Sequence, residues 1–312
     1  MSTTEQRLNT KWRWLLAAVL MLAASYVLAV NVDKLQASFV ALANADLTLT
    51  VLAFAIMLAT FCIAALVYQL LALRPLRFTR TVCVEMAAAS VNRLLPAGAA
   101  GLGLLGLYLY RQKHNAAQAT AIVTANNLLG IIAHVLLLGG VSLAVPSVWG
   151  VFSQYAHVGV SWPVLIVIFI VVLGVFTSPL RHKLSKFMKH IGQSLHAYIH
   201  QPAKIAAVIL LDMLLAIIYT TVFYITIQAV GAHVSPVECF VAFSIGMLAA
   251  TITPTPGGLV GAEAGLFAGL SAYGVAAPDA LAATLLFRLL TAWLPALPGL
   301  AALLYARRQN WL

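Results

Sequence analysis

Two ionisable side chains, Glu263 and Arg288, lie within strongly apolar sequence. A lone charge in hydrocarbon costs at least about 2.5–3.5 kcal/mol, so buried charges pair with each other or face water. One interpretation is an anion-binding or gating site in a polar cavity. The other is a structural ion pair that fixes two segments together. The two interpretations are compatible.

Helix-breaking residues lie close to charged residues in both halves of the chain. Proline removes a backbone N–H donor and glycine loosens the backbone. Such a break survives in a membrane only where protein or a watery cavity satisfies the freed groups. Freed N–H groups beside a guanidinium suit phosphate, so Arg93 is a second candidate binding residue. The predicted structural breaks are Pro96, Gly98, Pro254, Pro256, Gly257 and Gly258.

Other polar residues in apolar segments have weaker signals. Asn127 and His134 share a helix face after the first break, and Asn127 is a candidate for lining the same cavity. Hydrogen bonding between helices is the alternative for both. Glu85 is either functional or solvated at the interface. For Asp212, the sequence predicts either pairing with an arginine or a role in sensing protons.

The composition identifies the class of protein. Of 312 residues, 62% are hydrophobic and 8% are charged, against about 25% charged in soluble domains. Continuous apolar runs predict an all-α polytopic membrane protein rather than a β-barrel. On a soluble protein a net charge of +10 would suggest a nucleic-acid partner. In this chain the positions of the basic residues matter more than their sum, so we expect no nucleic-acid partner.

Hydropathy predicts a single integral membrane domain over 1–312 with six full transmembrane helices. A short polar loop with Asp33, Lys34 and Asp46 follows the first of them. The predicted spans are about 14–30, 47–73, 116–145, 162–176, 204–230 and 280–305.

The positions of the basic residues predict the orientation of these spans. All of the 18 Lys and Arg residues except Lys34, Arg93 and Arg288 lie in the termini, the 74–80 and 111–113 turns and the 181–204 loop. Positively charged loops stay in the cytoplasm, so both termini are expected there, in a bacterial inner membrane.

The same rule requires segments 81–110 and 237–272 to return to the side they leave. Each limb has about 15 residues and spans about 22 Å, short of a core of about 30 Å, which favours re-entrant hairpins. The halves, about 14–146 and 161–306, then have the same order and opposite orientation, which indicates an inverted-topology repeat. Divergent halves with short crossing helices are the alternative.

The basic 181–204 loop has charged and apolar residues at helical spacing. It predicts an amphipathic helix on the anionic inner leaflet, or a solvated loop. Its histidines lack metal-site spacing, since only His196 and His200 share a helix face. We expect no metal, no cofactor and no enzyme activity, because no catalytic motif is present.

The runs TPTPGG, GAEAGLF and VNRLLPAGAAG, and the last span LLFRLLTAWLPALPGLAALL, resemble the integral-membrane domain of lysylphosphatidylglycerol synthases and its stand-alone bacterial relatives. The resemblance covers nearly the whole chain. It implies a flippase-like domain without the soluble transferase. By motif, Asn92 joins the residues already singled out.

These observations predict a lipid translocase that handles an anionic or phosphate-bearing phospholipid or polyprenyl-linked substrate. Arg93, Asn127, Glu263 and Arg288 are the predicted substrate-binding residues. The alternative function is a non-transporting membrane scaffold that docks a cell-envelope enzyme through the basic loop.

Overall fold

The computed structural model describes residues 32–92, 99–145, 201–252 and 260–312, and these ranges are helical without strands. The helices, in chain order, are α1 (Val32–Ala43), α2 (Leu47–Leu71), α3 (Phe78–Val91), α4 (Ala99–Arg111), α5 (Ala116–Ala144), α6 (Pro202–Ala229), α7 (Pro236–Ile252), α8 (Gly261–Ala272), α9 (Ala277–Arg288) and α10 (Ala296–Arg308), with a π-helical turn (Leu289–Trp293) between the last two.

Four segments of the described ranges are long and apolar enough to cross a membrane. They are α2, α5, α6 and the run 277–308, in which α9, the π turn and α10 are continuous. They confirm four of the six predicted spans. The other two, about 14–30 and 162–176, lie outside the described residues, as does the loop 181–200.

The segment after the first predicted span is helical, so the predicted polar loop is wrong. Helix α1 occupies most of it and packs against α9. Ser38 is fully buried, which shows that tertiary packing outweighs the polar composition of this segment. The Asp46 carboxylate caps α2 by accepting the Leu49 N–H at 3.0 Å. The Asp46 N–H donates to the Ala229 carbonyl at 2.8 Å and so joins α2 to the end of α6.

The limbs of both predicted hairpins run antiparallel and in contact. In the second, Gly269 of α8 meets Ala242 of α7, and Gly265 meets Gly246 one turn nearer the break. In the first, the hydroxyls of Thr81 and Tyr108 lie 3.0 Å apart across α3 and α4. The residues that connect the limbs, 93–98 and 253–259, lie outside the described ranges. The depth of the hairpins in a bilayer stays a prediction.

Aromatic residues from three helices form the centre of a core shared by the two halves. The rings of Phe223 on α6 and Phe287 on α9 meet edge to face at 5.0 Å. Phe243 of α7 meets Phe287 at 6.1 Å. Met57 and Phe61 of α2 belong to the same buried cluster. The helix that carries Arg288 is therefore fixed on several sides.

Basic connections lie together at one end of the bundle, which we call the basic end. The Arg74 N–H donates to His114 Nε2 at 3.2 Å and joins the turn after α2 to the turn after α4. The Arg80 guanidinium lies 5.0 Å from the Trp311 ring, beside Arg307 and Arg308 at the end of α10. This clustering agrees with the distribution used in the sequence analysis.

His114 predicts a pH dependence of stability. Its ring is 2% exposed, and Nδ1 lies 3.1 Å from the Leu109 carbonyl, so Nδ1 carries the proton and Nε2 accepts from Arg74. Burial lowers the pKa of His114. The pKa of His114 is therefore lower in the folded chain than its unfolded value of about 6.5. The contribution of neutral His114 to stability is fully present above pH about 6.5 and is lost as the pH falls towards the folded pKa. We expect the temperature midpoint of unfolding in detergent to decrease as the pH is lowered from about 6.5.

The variant His114→Gln should lose this part of the pH dependence. His233→Gln is the matched control, because His233 is exposed and bonds only Gln228 among the described residues. A pH profile unchanged by His114→Gln would contradict the assignment.

Gly265→Ala tests the close packing of α7 and α8. The new Cβ would lie 2.7 Å from the Ala249 Cβ and 2.8 Å from the Gly246 Cα, so the helices must separate. Overpacking of this kind costs about 1–3 kcal/mol, and we expect a lower unfolding midpoint.

Gly139→Ala in α5 is the matched control, because a Cβ there meets no heavy atom of the described residues within 4 Å. Alanine favours a helix interior by about 1 kcal/mol over glycine, so the midpoint should hold or rise. An equal loss in both variants would contradict the packing explanation.

Candidate functional site

Glu263 and Arg288 form an ion pair between α8 and α9. Arg288 Nε donates to Glu263 Oε1 at 2.7 Å. The Arg288 side chain is 12% exposed and that of Glu263 is 24% exposed. The two charges therefore pair, which is one of the two outcomes expected from the sequence, and the pair is partly accessible.

The backbone before Glu263 explains the position of its carboxylate. Helix α8 begins at Gly261, and Glu263 lies in its first turn, where a negative charge interacts favourably with the helix dipole. Val260, directly before the helix, has a φ of 71°. This conformation is unfavourable for a β-branched residue, and such strain concentrates at functional sites.

A π-helical turn begins directly after Arg288. The Leu294 N–H donates to the Leu289 carbonyl at 2.8 Å, one residue further back than in an α-helix. Pro295 has no N–H to give the Thr291 carbonyl and cannot continue regular α-helical bonding. Hydropathy predicts one uninterrupted span over 280–305, so this turn is a difference from the prediction. Single π turns are frequent at functional sites.

Three polar atoms around the pair are buried without a hydrogen-bond partner among the described residues. They are Glu263 Oε2, Arg288 Nη2 and the hydroxyl of Thr284. Thr284 lies one turn before Arg288 on α9 and is fully buried. Buried polar groups are almost always hydrogen-bonded in native structures. The pair therefore keeps a donor and an acceptor that have no partner among the described residues.

An apolar cavity opens beside the ion pair. It has a volume of about 490 Å³ and is lined by Val260, Glu263, Ala264, Phe267 and Leu281. A charged group at the edge of an apolar space suits an amphiphile, whose head is polar and whose chain is not. No group of three or more potential metal ligands is present in the described part of the chain.

Asn127 lies on the exposed face of α5, where its amide nitrogen donates to the Val123 carbonyl at 2.8 Å. No described hydrogen bond joins it to the ion pair, so its binding role stays a prediction. Further predicted site residues lie outside the described ranges: Arg93, Pro96, Gly98, Pro254, Pro256, Gly257 and Gly258.

Thr284, one turn before Arg288 on α9, is not among the residues predicted from the sequence. Thr284 could have been found from its spacing, because residues four apart share a helix face. Asn92 crosses the first break: its Oδ1 accepts the Gly101 N–H at 2.6 Å and holds the ends of α3 and α4 together. The motif of the resembled family includes Asn92, but the hydrogen bond across the break is visible only in the folded chain.

Comparison with known protein families gives one match. The sequence model of the family described as "Lysylphosphatidylglycerol synthase TM region" matches residues 16–299. This range includes the ion pair and both helix breaks. No curated protein matches the chain.

A double-mutant cycle measures the ion pair. Glu263→Gln leaves the Arg288 charge unpaired, and Arg288→Gln leaves the carboxylate unpaired. Breaking a fully buried pair costs about 3–5 kcal/mol, and we expect about 1–3 kcal/mol here because Glu263 is partly screened by solvent. The double variant should lose less stability than the sum of the single losses.

Unfolding midpoints in detergent provide the measurement. Arg307→Gln is the control, because Arg307 is exposed at the end of α10. Strictly additive effects of the two substitutions would show that the pair contributes nothing to stability.

Proposed function

The chain belongs to the family of lysylphosphatidylglycerol synthase TM regions, and from that premise we propose that it is a lipid translocase. Its substrate carries a phosphate or another anionic head group, as a phospholipid or a polyprenyl-linked molecule. The proposed activity moves this head group across the membrane and makes or breaks no covalent bond.

The ion pair beside the apolar cavity carries this proposal. Arg288 offers an unused donor at Nη2, and a guanidinium binds phosphate oxygens in a bidentate geometry. The adjoining cavity accepts apolar groups, while the acyl chains remain among the lipid-facing helices. A soluble ligand would have no need of the apolar part of this arrangement.

The proposed cycle has two states of Arg288. In one state Glu263 neutralises Arg288, which keeps the empty site stable in an apolar surrounding. In the other, a phosphate takes the place of the carboxylate. A ligand shifts such an equilibrium only by its differential affinity for the two states, so the carboxylate and phosphate compete directly. The strained Val260 and the π turn support this proposal, since both adjoin the pair.

The proposed membrane arrangement follows from charge. The basic end is assigned to the cytoplasm of a bacterial inner membrane, with the 181–204 loop on its anionic leaflet. The antiparallel limb pairs α3–α4 and α7–α8 support an inverted repeat, in which substrate binds where broken helices meet. Arg93 would then supply the matching cation from the first hairpin.

Translocation in reconstituted vesicles tests the function. The probe is phosphatidylglycerol with a fluorescent acyl chain, and extraction by albumin measures how fast it reaches the outer leaflet. We expect Arg288→Ala to lower the rate at least about tenfold, which corresponds to 1.4 kcal/mol. Glu263→Gln should also slow turnover, because release of the bound phosphate then lacks its competitor.

Arg308→Ala is the control, because this exposed residue at the end of α10 lies away from the cavity. Gel filtration establishes that each variant is folded. Wild-type rates in both site variants would contradict the mechanism. A wild-type rate equal to that of empty vesicles would instead favour the scaffold function.

A further inference from the structure

Three side chains with a buried polar atom lie apart from the Glu263–Arg288 pair. They are Tyr68 on α2, Glu85 on α3 and Asp212 on α6. The Tyr68 side chain is 3% exposed. The Tyr68 hydroxyl, Glu85 Oε1 and Asp212 Oδ2 have no hydrogen-bond partner among the described residues. Three unused polar atoms in an apolar bundle require an explanation.

These three side chains converge on one place. Tyr68 packs in one buried cluster with Val84, the residue before Glu85, and with Val208, one turn before Asp212, and α2 packs against both α3 and α6. Asp212 also faces α5, where a Cβ added to Gly130 would lie 3.9 Å from Asp212 Oδ2. Apolar residues that belong to the buried cluster around Tyr68 enclose the group: Val67, Val84, Leu129 and Val208. We call Tyr68, Glu85 and Asp212 the acidic cluster.

No described basic residue neutralises the acidic cluster. Lys204 precedes Asp212 by two turns on α6, a distance of about 12 Å along the axis. Several titratable groups on neighbouring helices have other contacts: Tyr108 on α4 bonds Thr81, Glu238 on α7 bonds Ser235 and Arg288 on α9 pairs with Glu263, while the His134 ring on α5 lies 6.1 Å from the Phe240 ring and Arg307 on α10 is exposed. Two carboxylates in hydrocarbon therefore need a mobile positive charge.

A proton fits this cluster better than a metal ion. The cluster has two carboxylates and one phenol, whereas Ca²⁺ takes six to eight oxygen ligands and Mg²⁺ demands six, and no group of three or more potential metal ligands occurs in the described part of the chain. A proton needs one oxygen, and a phenol can donate to one carboxylate while it accepts from a protonated one. Tyr68 lies one turn from the end of α2, so the cluster is near the water at the basic end.

We propose that Tyr68, Glu85 and Asp212 form a proton-binding site within the helix bundle. Uptake transfers one proton from hydronium to a carboxylate oxygen, which yields a carboxylic acid and water, and release reverses this transfer. The Tyr68 hydroxyl stabilises the remaining carboxylate by donating a hydrogen bond. Proton binding is independent of the proposed lipid translocation, because it is measured without lipid substrate.

Infrared titration of the purified full-length protein in detergent tests the site. The probe is the carbonyl band of a protonated carboxylic acid, which is absent from a carboxylate. We expect a wild-type band that persists above pH about 5, where solvated carboxyl groups are ionised. Glu85→Gln and Asp212→Asn should each remove part of it. Tyr68→Phe should shift the midpoint by about one pH unit, a tenfold change in proton affinity.

Glu238→Gln is the matched control, because this exposed carboxylate accepts the Ser235 N–H at the start of α7 and should leave the band unchanged. If Asp212→Asn fails to fold, Glu85→Gln and Tyr68→Phe decide the result. A titration that is identical in the wild type and all three variants overturns the proposal. Loss of the wild-type band on adding Na⁺ or Mg²⁺ at constant pH also overturns it, because the cluster would then bind a metal ion.

Discussion

A charge surrounded by apolar helices needs an opposite charge or water, and in this protein that requirement joins α8 to α9. Arg288 Nε and Glu263 Oε1 are 2.7 Å apart, although their helices are separated in sequence by a turn. The ion pair uses one oxygen and one nitrogen and leaves Oε2 and Nη2 unused. The same interaction therefore holds two helices together and leaves one donor and one acceptor without a partner among the described residues.

Small residues determine how close the helices approach around this pair. Apolar burial distinguishes weakly between helix–helix and helix–lipid contact in a membrane, so packing and hydrogen bonds hold the helices together. Gly265 and Gly269 bring α8 against α7, and Gly299 brings α10 against Ser90 of α3, whose hydroxyl donates to the Ala296 carbonyl at 3.0 Å. These contacts hold the helices close together, whereas Glu263 Oε2 and Arg288 Nη2 have no partner among the described residues.

Hydropathy and charge alone predict much of this arrangement, because both are summed over many residues. Four spans, the antiparallel limbs and the pairing of Glu263 with Arg288 all follow from them. Helix α1 does not, because its polar composition is outweighed by packing against α9. The π turn depends on Pro295 removing one particular hydrogen bond, and Thr284 matters only because its hydroxyl is buried. These effects depend on single atoms, so hydropathy and charge summed over many residues do not predict them.

The ion pair and the acidic cluster differ in surroundings but share helices. The ion pair lies beside an open cavity, whereas Tyr68 of the cluster is packed among buried apolar side chains. Helix α6 carries Asp212 and also packs Phe223 against Phe287, the residue before Arg288. Helix α2 carries Tyr68 and contacts the π turn. Coupling between sites requires a contiguous element with two arrangements. Helices α6 and α2 are therefore the elements that connect the cluster with Arg288, and the π turn is where the backbone departs from regular geometry.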